Sequence, residues 1–304
     1  MLKIIIDTDI GDDIDDAYAI SLALNTKEID ILGITTVYRN CHQRAQIVKS
    51  LLNDFERNDI EVYAGEDFPL NEPIFFWSYD TVNKDGRPNL AHYSQEMEQY
   101  TYSDQHAIDF YRYLVNKHPG EITLVCLGPL TNLGLFATKY PEDYKKLNSI
   151  VMMGGCFSSN DAEWNIKCDP ESAQKALNCC VPVKMITYDV TKETYLLKDE
   201  LNHFNSSSKP YVMTLNKITE LWVAQRNYKK PPFMHDALTI SELTQKFCDY
   251  KTEYIKIETE GEKRGFTTID PDNYTLKADI STSVKSKEFI EYLIQRILGD
   301  NNVS

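Results

Sequence analysis

Six aspartates fall within ten residues in Asp7-Thr8-Asp9-Ile10-Gly11-Asp12-Asp13-Ile14-Asp15-Asp16. Carboxylates this dense repel one another, and a folded chain gathers them only around a cation. The run follows the apolar stretch Leu2–Ile6 and precedes Ala17, Ile20, Leu22 and Leu24. It therefore sits between a buried strand and a helix, at the carboxyl end of the strand, where open α/β sheets place their ligands. A divalent metal site is expected there. Other polar residues fall at the same kind of position: Asn40 after a second strand, a Gly128-Pro129 turn after a third, and Gly154-Gly155 with Asn160, Glu163 and Asn165 after a fourth. His235-Asp236 opens a late helix. All but the imidazole are oxygen donors, which select Ca²⁺ or Mg²⁺ over zinc. A ligated water loses its proton more readily, and a nearby carboxylate that holds no metal can take it. Glu163 and the asparagines offer paired hydrogen-bond sites suited to a polyol. The combined chemistry is metal-assisted hydrolysis of a sugar derivative.

The elements that would position these residues follow a strand–helix alternation. Strands are expected over 2–6, 30–37, 60–65, 122–127, 149–153 and 183–189. Helices are expected from 17, over 43–52, near 104–117 and 130–139, from 170, and near 209–226 and 236–246. Two strands near 252–259 and 274–280 and a helix near 286–298 close the chain. The alternation predicts an α/β fold: one domain over 1–304, an open, mostly parallel sheet with helices on both faces. The last strands are placed as an antiparallel addition at its edge. Residues 66–102 show no period and carry three prolines and Phe75-Phe76-Trp77. So long an irregular segment reads as a functional loop.

Composition narrows the partners. A formal net charge of −14 argues against a nucleic-acid backbone as ligand and suits a neutral or cationic small substrate, or a bound cation. No apolar run reaches the roughly 20 residues of a membrane span, and Met1-Leu2-Lys3 leads directly into the first strand rather than into a signal peptide. Seven cysteines at irregular spacing read as free thiols of a reducing cytosol. Zinc motifs, phosphate-binding glycine loops and the EF-hand pattern are absent; the twelfth position counted from Asp7 is Tyr18.

The ordered set of motifs resembles the inosine–uridine preferring nucleoside hydrolase family over nearly the whole chain. It comprises Asp7-Thr8-Asp9-Ile10-Gly11 with Asp15-Asp16-Ala17, Gly33-Ile34-Thr35-Thr36-Val37-Tyr38 with Asn40, and Val62-Tyr63-Ala64-Gly65. It continues with Leu127-Gly128-Pro129-Leu130-Thr131-Asn132, Met153-Gly154-Gly155, Ala162-Glu163-Trp164-Asn165-Ile166, Asp169-Pro170-Glu171, Asp189-Val190-Thr191 and His235-Asp236. The resemblance implies cleavage of a ribonucleoside to ribose and free base on one Ca²⁺, in nucleoside salvage, by a homo-oligomer. It implies Asp9, Asp16, the Leu127 carbonyl and Asp236 as metal ligands, Asp15 as general base and Asp7 as a carboxylate supporting that network. Asn40, Met153, Asn160, Glu163 and Asn165 would hold the ribose. Trp164 would stand at the base, and His235 would protonate it as it leaves. The turn Asp12-Asp13-Ile14 is longer than the family's single residue, which leaves Asp13 open as an alternative ligand. A modified purine nucleoside as substrate, and calcium-dependent nucleoside or sugar binding without turnover, remain open readings.

Overall fold

Ile4, Ile5 and Ile6 are completely buried in β1 (Leu2–Thr8), with sheet neighbours on both edges and helices over both faces. Such a strand reads as a continuous apolar run rather than an alternating one. Successive side chains still point to opposite faces: Ile4 and Ile6 join one core, and Ile5 joins the other. The computed structural model describes residues 1–71, 81–159, 161–178, 180–226, 231–272 and 276–299.

After β1 come α1 (Asp15–Leu24), β2 (Ile29–Thr36), α2 (Cys41–Asp54), β3 (Val62–Ala64), α3 (Ala107–Lys117), β4 (Ile122–Cys126), α4 (Thr131–Lys139) and α5 (Pro141–Tyr144). The chain continues through β5 (Ser149–Met153), α6 (Trp164–Cys168), α7 (Pro170–Leu177), β6 (Val183–Ile186), α8 (Tyr188–Thr191), α9 (Lys198–Asn205), α10 (Pro210–Arg226) and α11 (His235–Ser241). It ends with β7 (Cys248–Ile257), β8 (Thr267–Ile269), β9 (Lys277–Val284) and α12 (Ser286–Leu298). The strands form one sheet in the order β3-β2-β1-β4-β5-β6-β9-β7-β8. From β3 to β9 in that order every pairing is parallel; β7 and β8 add antiparallel pairings at one edge. One core holds side chains of α1, α2, α10, α11 and α12, and the other those of α3, α4 and α7. The α/β fold expected from the alternation is the fold observed.

Local boundaries differ in instructive ways. The sixth strand stops at Ile186, not Asp189, because the Tyr188 N–H turns to the Gly155 carbonyl at 2.9 Å and α8 begins. The two strands expected near 252–259 and 274–280 are β7 and β9, paired from Cys248–Val284 onward and so covering 248–257 and 277–284; the short β8 between them is not predicted by the sequence pattern. α11 closes at Ser241, short of 246. The aromatic cluster Phe75-Phe76-Trp77 lies outside the described residues.

Candidate active site

β1 and β4 are adjacent and parallel, yet the chain leaves them toward opposite sides of the sheet. The loops after these two strands therefore diverge and open a crevice between them. The Leu127 N–H donates to the Asp7 carbonyl at 2.8 Å and brings the Leu127-Gly128 turn against Asp9. Only glycine fits that turn: a Cβ at residue 128 would stand 2.9 Å from both Asp9 Oδ1 and Val37 Cγ1.

Asp15 and Asp16 occupy the first turn of α1, and Asp236 the first turn of α11, so positive helix ends face the carboxylates. One carboxylate oxygen from each of the three lies within 4.8 Å of the others, and all three residues are buried. Thr8 Oγ1 donates to Asp16 Oδ1, and the Asp236 N–H reaches Asp15 Oδ2 at 3.4 Å. Burial, then repulsion from neighbouring aspartates (Asp13 and Asp9 for Asp15, Asp9 and Asp15 for Asp16, Asp15 and Asp16 for Asp236), pushes all three carboxyls well above their ordinary range. Burial also raises Asp9 to about 6 against the pull of Arg44. A donor set of crowded, buried oxygens fits a hard divalent ion, whose charge would offset this repulsion.

Asp7 sits below that cluster. Its Oδ1 accepts from Thr35 Oγ1 at 2.6 Å and Asn132 Nδ2 at 2.9 Å, and burial lifts its carboxyl to about 7. Asp12 lines the same cleft but is paired with two arginines. It accepts from Arg39 Nη2 at 3.0 Å and Arg44 Nη2 at 2.8 Å, which hold it below the usual carboxylate range despite burial. The Asp13 carboxylate lines the cleft and accepts the Ile14 N–H at 2.9 Å.

A cleft of about 1340 Å³ opens from the triad and is lined further by Arg39, Met153, Glu163, Trp164, Asn165 and His235. Asn165 Nδ2 donates to the Leu127 carbonyl at 2.7 Å and to the Met153 carbonyl at 3.2 Å, tying the ends of β4 and β5 together. A carbonyl has two lone pairs, so Leu127 O keeps one for a metal. Glu163 caps α6: Oε1 accepts from the Asn165 N–H at 2.9 Å, and Oε2 from those of Gly155 and Ile166 at 3.1 Å each. Trp164 is 39% exposed and meets Tyr38 edge-on. His235 lies between Phe233 and Tyr188 rings, with Nδ1 2.8 Å from Thr191 Oγ1, and burial lowers its imidazole to about 4. Asn40 is buried next to Arg39, its amide donates to the Thr81 carbonyl at 2.9 Å, and it is not among the residues that line the cleft. Asn160 lies outside the described residues.

The family model described as inosine-uridine preferring nucleoside hydrolase matches residues 4–291. The chain belongs to that family. It is 31% identical to "Probable uridine nucleosidase 2" of Arabidopsis thaliana, over 88% of this chain and 85% of that protein. It is 28% identical to "Pyrimidine-specific ribonucleoside hydrolase RihA" of Salmonella arizonae, over 97% and 98%. A solved plant nucleoside hydrolase superposes with a TM-score of 0.83 at 27% identity, covering 98% of this chain and 99% of that one. The protein is thus an enzyme, a nucleoside hydrolase acting on the N-glycosidic bond of a small ribonucleoside substrate.

Three residues of this nucleoside hydrolase carry structural weight at the site that the sequence reading did not assign. Arg44, fully buried, donates to the carbonyls of Asp9, Ile10, Tyr38 and Arg39 as well as to Asp12. Tyr38, Arg39 and Asn40 all have positive φ, and Arg44 holds the carbonyls of the first two. The signal was available: Arg44 falls on the apolar stripe of α2, one turn before Val48. Asn132 links Asp7, the Thr36 carbonyl and the Glu66 N–H. Thr191, from the Asp189-Val190-Thr191 motif, meets His235. Asp189 itself accepts the Phe157 N–H at 2.7 Å and pins the loop after β5.

Proposed function

We propose that the protein hydrolyses ribonucleosides at a Ca²⁺ site formed by Asp9, Asp16, Asp236 and the Leu127 carbonyl, with Asp15 as general base. The observation that carries this reading is the convergence of Asp15, Asp16 and Asp236 from two helices that begin more than 200 residues apart in sequence. When bound, the ion would acidify a water and grip the ribose hydroxyls. Asp15, beside Asp16 and Asp236 and left out of the ligand set, takes the proton from the attacking water. Asp7 steadies this network from below. The clustered carboxylates favour positive charge developing on the sugar as the bond to the base lengthens. Glu163, Asn165 and the Met153 backbone orient the ribose, with Asn40 and Asn160 assigned to the same subsite. Trp164 faces the base and His235 assists its departure. The continuous nine-stranded sheet supports treating 1–304 as one domain. The names of the two curated relatives make uridine the first substrate to try.

Purified protein with Ca²⁺ is expected to release reducing sugar from at least one of uridine, inosine, adenosine and guanosine. Release from none of them, nor from modified nucleosides, would refute the proposal. Asp15→Asn is expected to lower kcat by roughly 10²–10⁴-fold while calcium still binds; unchanged kcat would remove Asp15 as the base.

A further inference from the structure

We propose that Thr267, on the edge strand β8, is a positioning residue for the ribose subsite: it fixes the start of the stretch after β5 that carries Glu163, Trp164 and Asn165. The proposal rests on the reading above that Glu163 and Asn165 orient the ribose.

β7 and β8 form an antiparallel hairpin at the sheet edge, and β8 pairs with β7 alone among the described residues. The hairpin meets the stretch after β5 at two places. At the first, the Thr267 hydroxyl accepts the Cys156 N–H at 2.8 Å and donates to the Cys156 carbonyl at 2.9 Å. One side chain thus occupies both backbone groups of one residue, as a facing residue in an antiparallel pair would. Thr267 is 4% and Cys156 3% exposed, so water cannot replace either bond. At the second, the hairpin turn rests on α6. A Cβ at Gly265 would stand 2.9 Å from Lys167 Cα and 3.2 Å from Ala162 Cβ, an approach only glycine permits. Arg264 holds the turn there by two contacts to Glu171 of α7, at 3.2 and 2.6 Å.

The first contact is coupled directly to the ribose subsite. Cys156 is joined to Gly155, whose N–H is donated to Glu163 Oε2 at 3.1 Å. The other bonds of Glu163, to the N–H groups of Asn165 and Ile166, set the start of α6. A shift of Cys156 therefore moves a donor of Glu163 and, through Glu163, Asn165. Cys156, Ser159, Asp161 and Ala162 also line the cleft. Asp189 holds the next two N–H groups, of Phe157 and Ser158, at 2.7 and 3.2 Å, but leaves both backbone groups of Cys156 to Thr267. Asp9, Asp16 and Asp236, the proposed metal ligands, stand outside this chain of contacts.

Thr267→Val keeps the shape and removes both hydrogen bonds. Its KM on the best nucleoside is expected to rise roughly 10-fold, with a matching loss of D-ribose affinity measured by calorimetry in saturating Ca²⁺. Its kcat and calcium affinity should stay within about twofold of wild type, because the interaction lost is one of binding. Thr267→Ser should restore KM and ribose affinity. Thr268→Val, at the exposed next position of β8, should change neither. Unchanged KM and ribose affinity in Thr267→Val, a loss confined to kcat, or an equal loss in Thr268→Val would overturn the proposal. Should Thr267→Val fail to fold, Arg264→Gln decides: it frees the hairpin turn from Glu171 and is expected to raise KM roughly threefold, and an unchanged KM would overturn the proposal. Glu163→Gln separates the two readings. If it leaves KM and ribose affinity unchanged, the ribose role of Glu163 fails and the proposal with it. If it weakens both while Thr267→Val does not, only the assignment to Thr267 falls.

Discussion

Arg44, carried by a helix with no reacting group, donates from its buried guanidinium to the main-chain carbonyl of Asp9. The same guanidinium reaches Ile10, Tyr38, Arg39 and Asp12, so one side chain ties the loop after β1 to the loop after β2. It also explains the longer acidic turn: Asp12 is the counter-charge that lets an arginine be buried under the site.

Arg44→Met is expected to destabilise the protein by about 3–5 kcal/mol, because four carbonyls lose a buried donor and Asp12 keeps only Arg39. Arg44→Lys should recover little, since an ammonium cannot span the fork of acceptors. Urea unfolding of both variants checks this, with calcium affinity as a second reading. A loss below about 1 kcal/mol for Arg44→Met would mean that the turn holds itself.

Calcium should stabilise the protein more at high pH than at low. Burial raises Asp9 to about 6 and Asp7 to about 7 from an ordinary value of 3.8, and Asp15, Asp16 and Asp236 shift the same way. The metal-free native state thus binds more protons than the unfolded chain above the ordinary value, and these groups lower stability as pH rises through the folded values. Below that range protons neutralise the cluster and compete with the ion. Thermal unfolding at about pH 5.5 and about pH 8, with chelator and with saturating Ca²⁺, is expected to show the larger calcium-induced rise in Tm at the higher pH. No rise at the higher pH would count against a calcium site here.

Gly65→Ala should damage the site from a distance. Its Cβ would lie 2.3 Å from Asn132 Oδ1 and 2.4 Å from Nδ2, and Asn132 is held on three sides by Asp7, Thr36 and Glu66. The expected cost is about 1–3 kcal/mol, with reduced kcat as Asp7 loses its donor. Gly120→Ala is the comparison for turnover: unlike Gly65, Gly120 has a positive φ that alanine strains, but nothing lies within 4 Å of the added carbon, so it should lose stability and keep kcat. A kcat for Gly65→Ala as high as that of Gly120→Ala would show that Asn132 can move aside freely.

The sequence by itself determined the strand–helix order, the parallel sheet and the family. Apolar runs and helical periods are local patterns, and the motifs recur in order along the chain. It also marked the aspartates that a cation would gather. Only the tertiary structure decided which of them meet. Asp15 and Asp16 stand beside Asp236 because α1 and α11 pack together, whereas Asp12 pairs with two arginines. Contacts across the chain also decided the support: Asn132 under Asp7, Asn165 between Leu127 and Met153, and Thr191 against His235. No local spacing encodes those pairs. Each depends on where the β1–β4 switch point brings distant loops, and a hydrogen bond needs its two partners within about 3 Å.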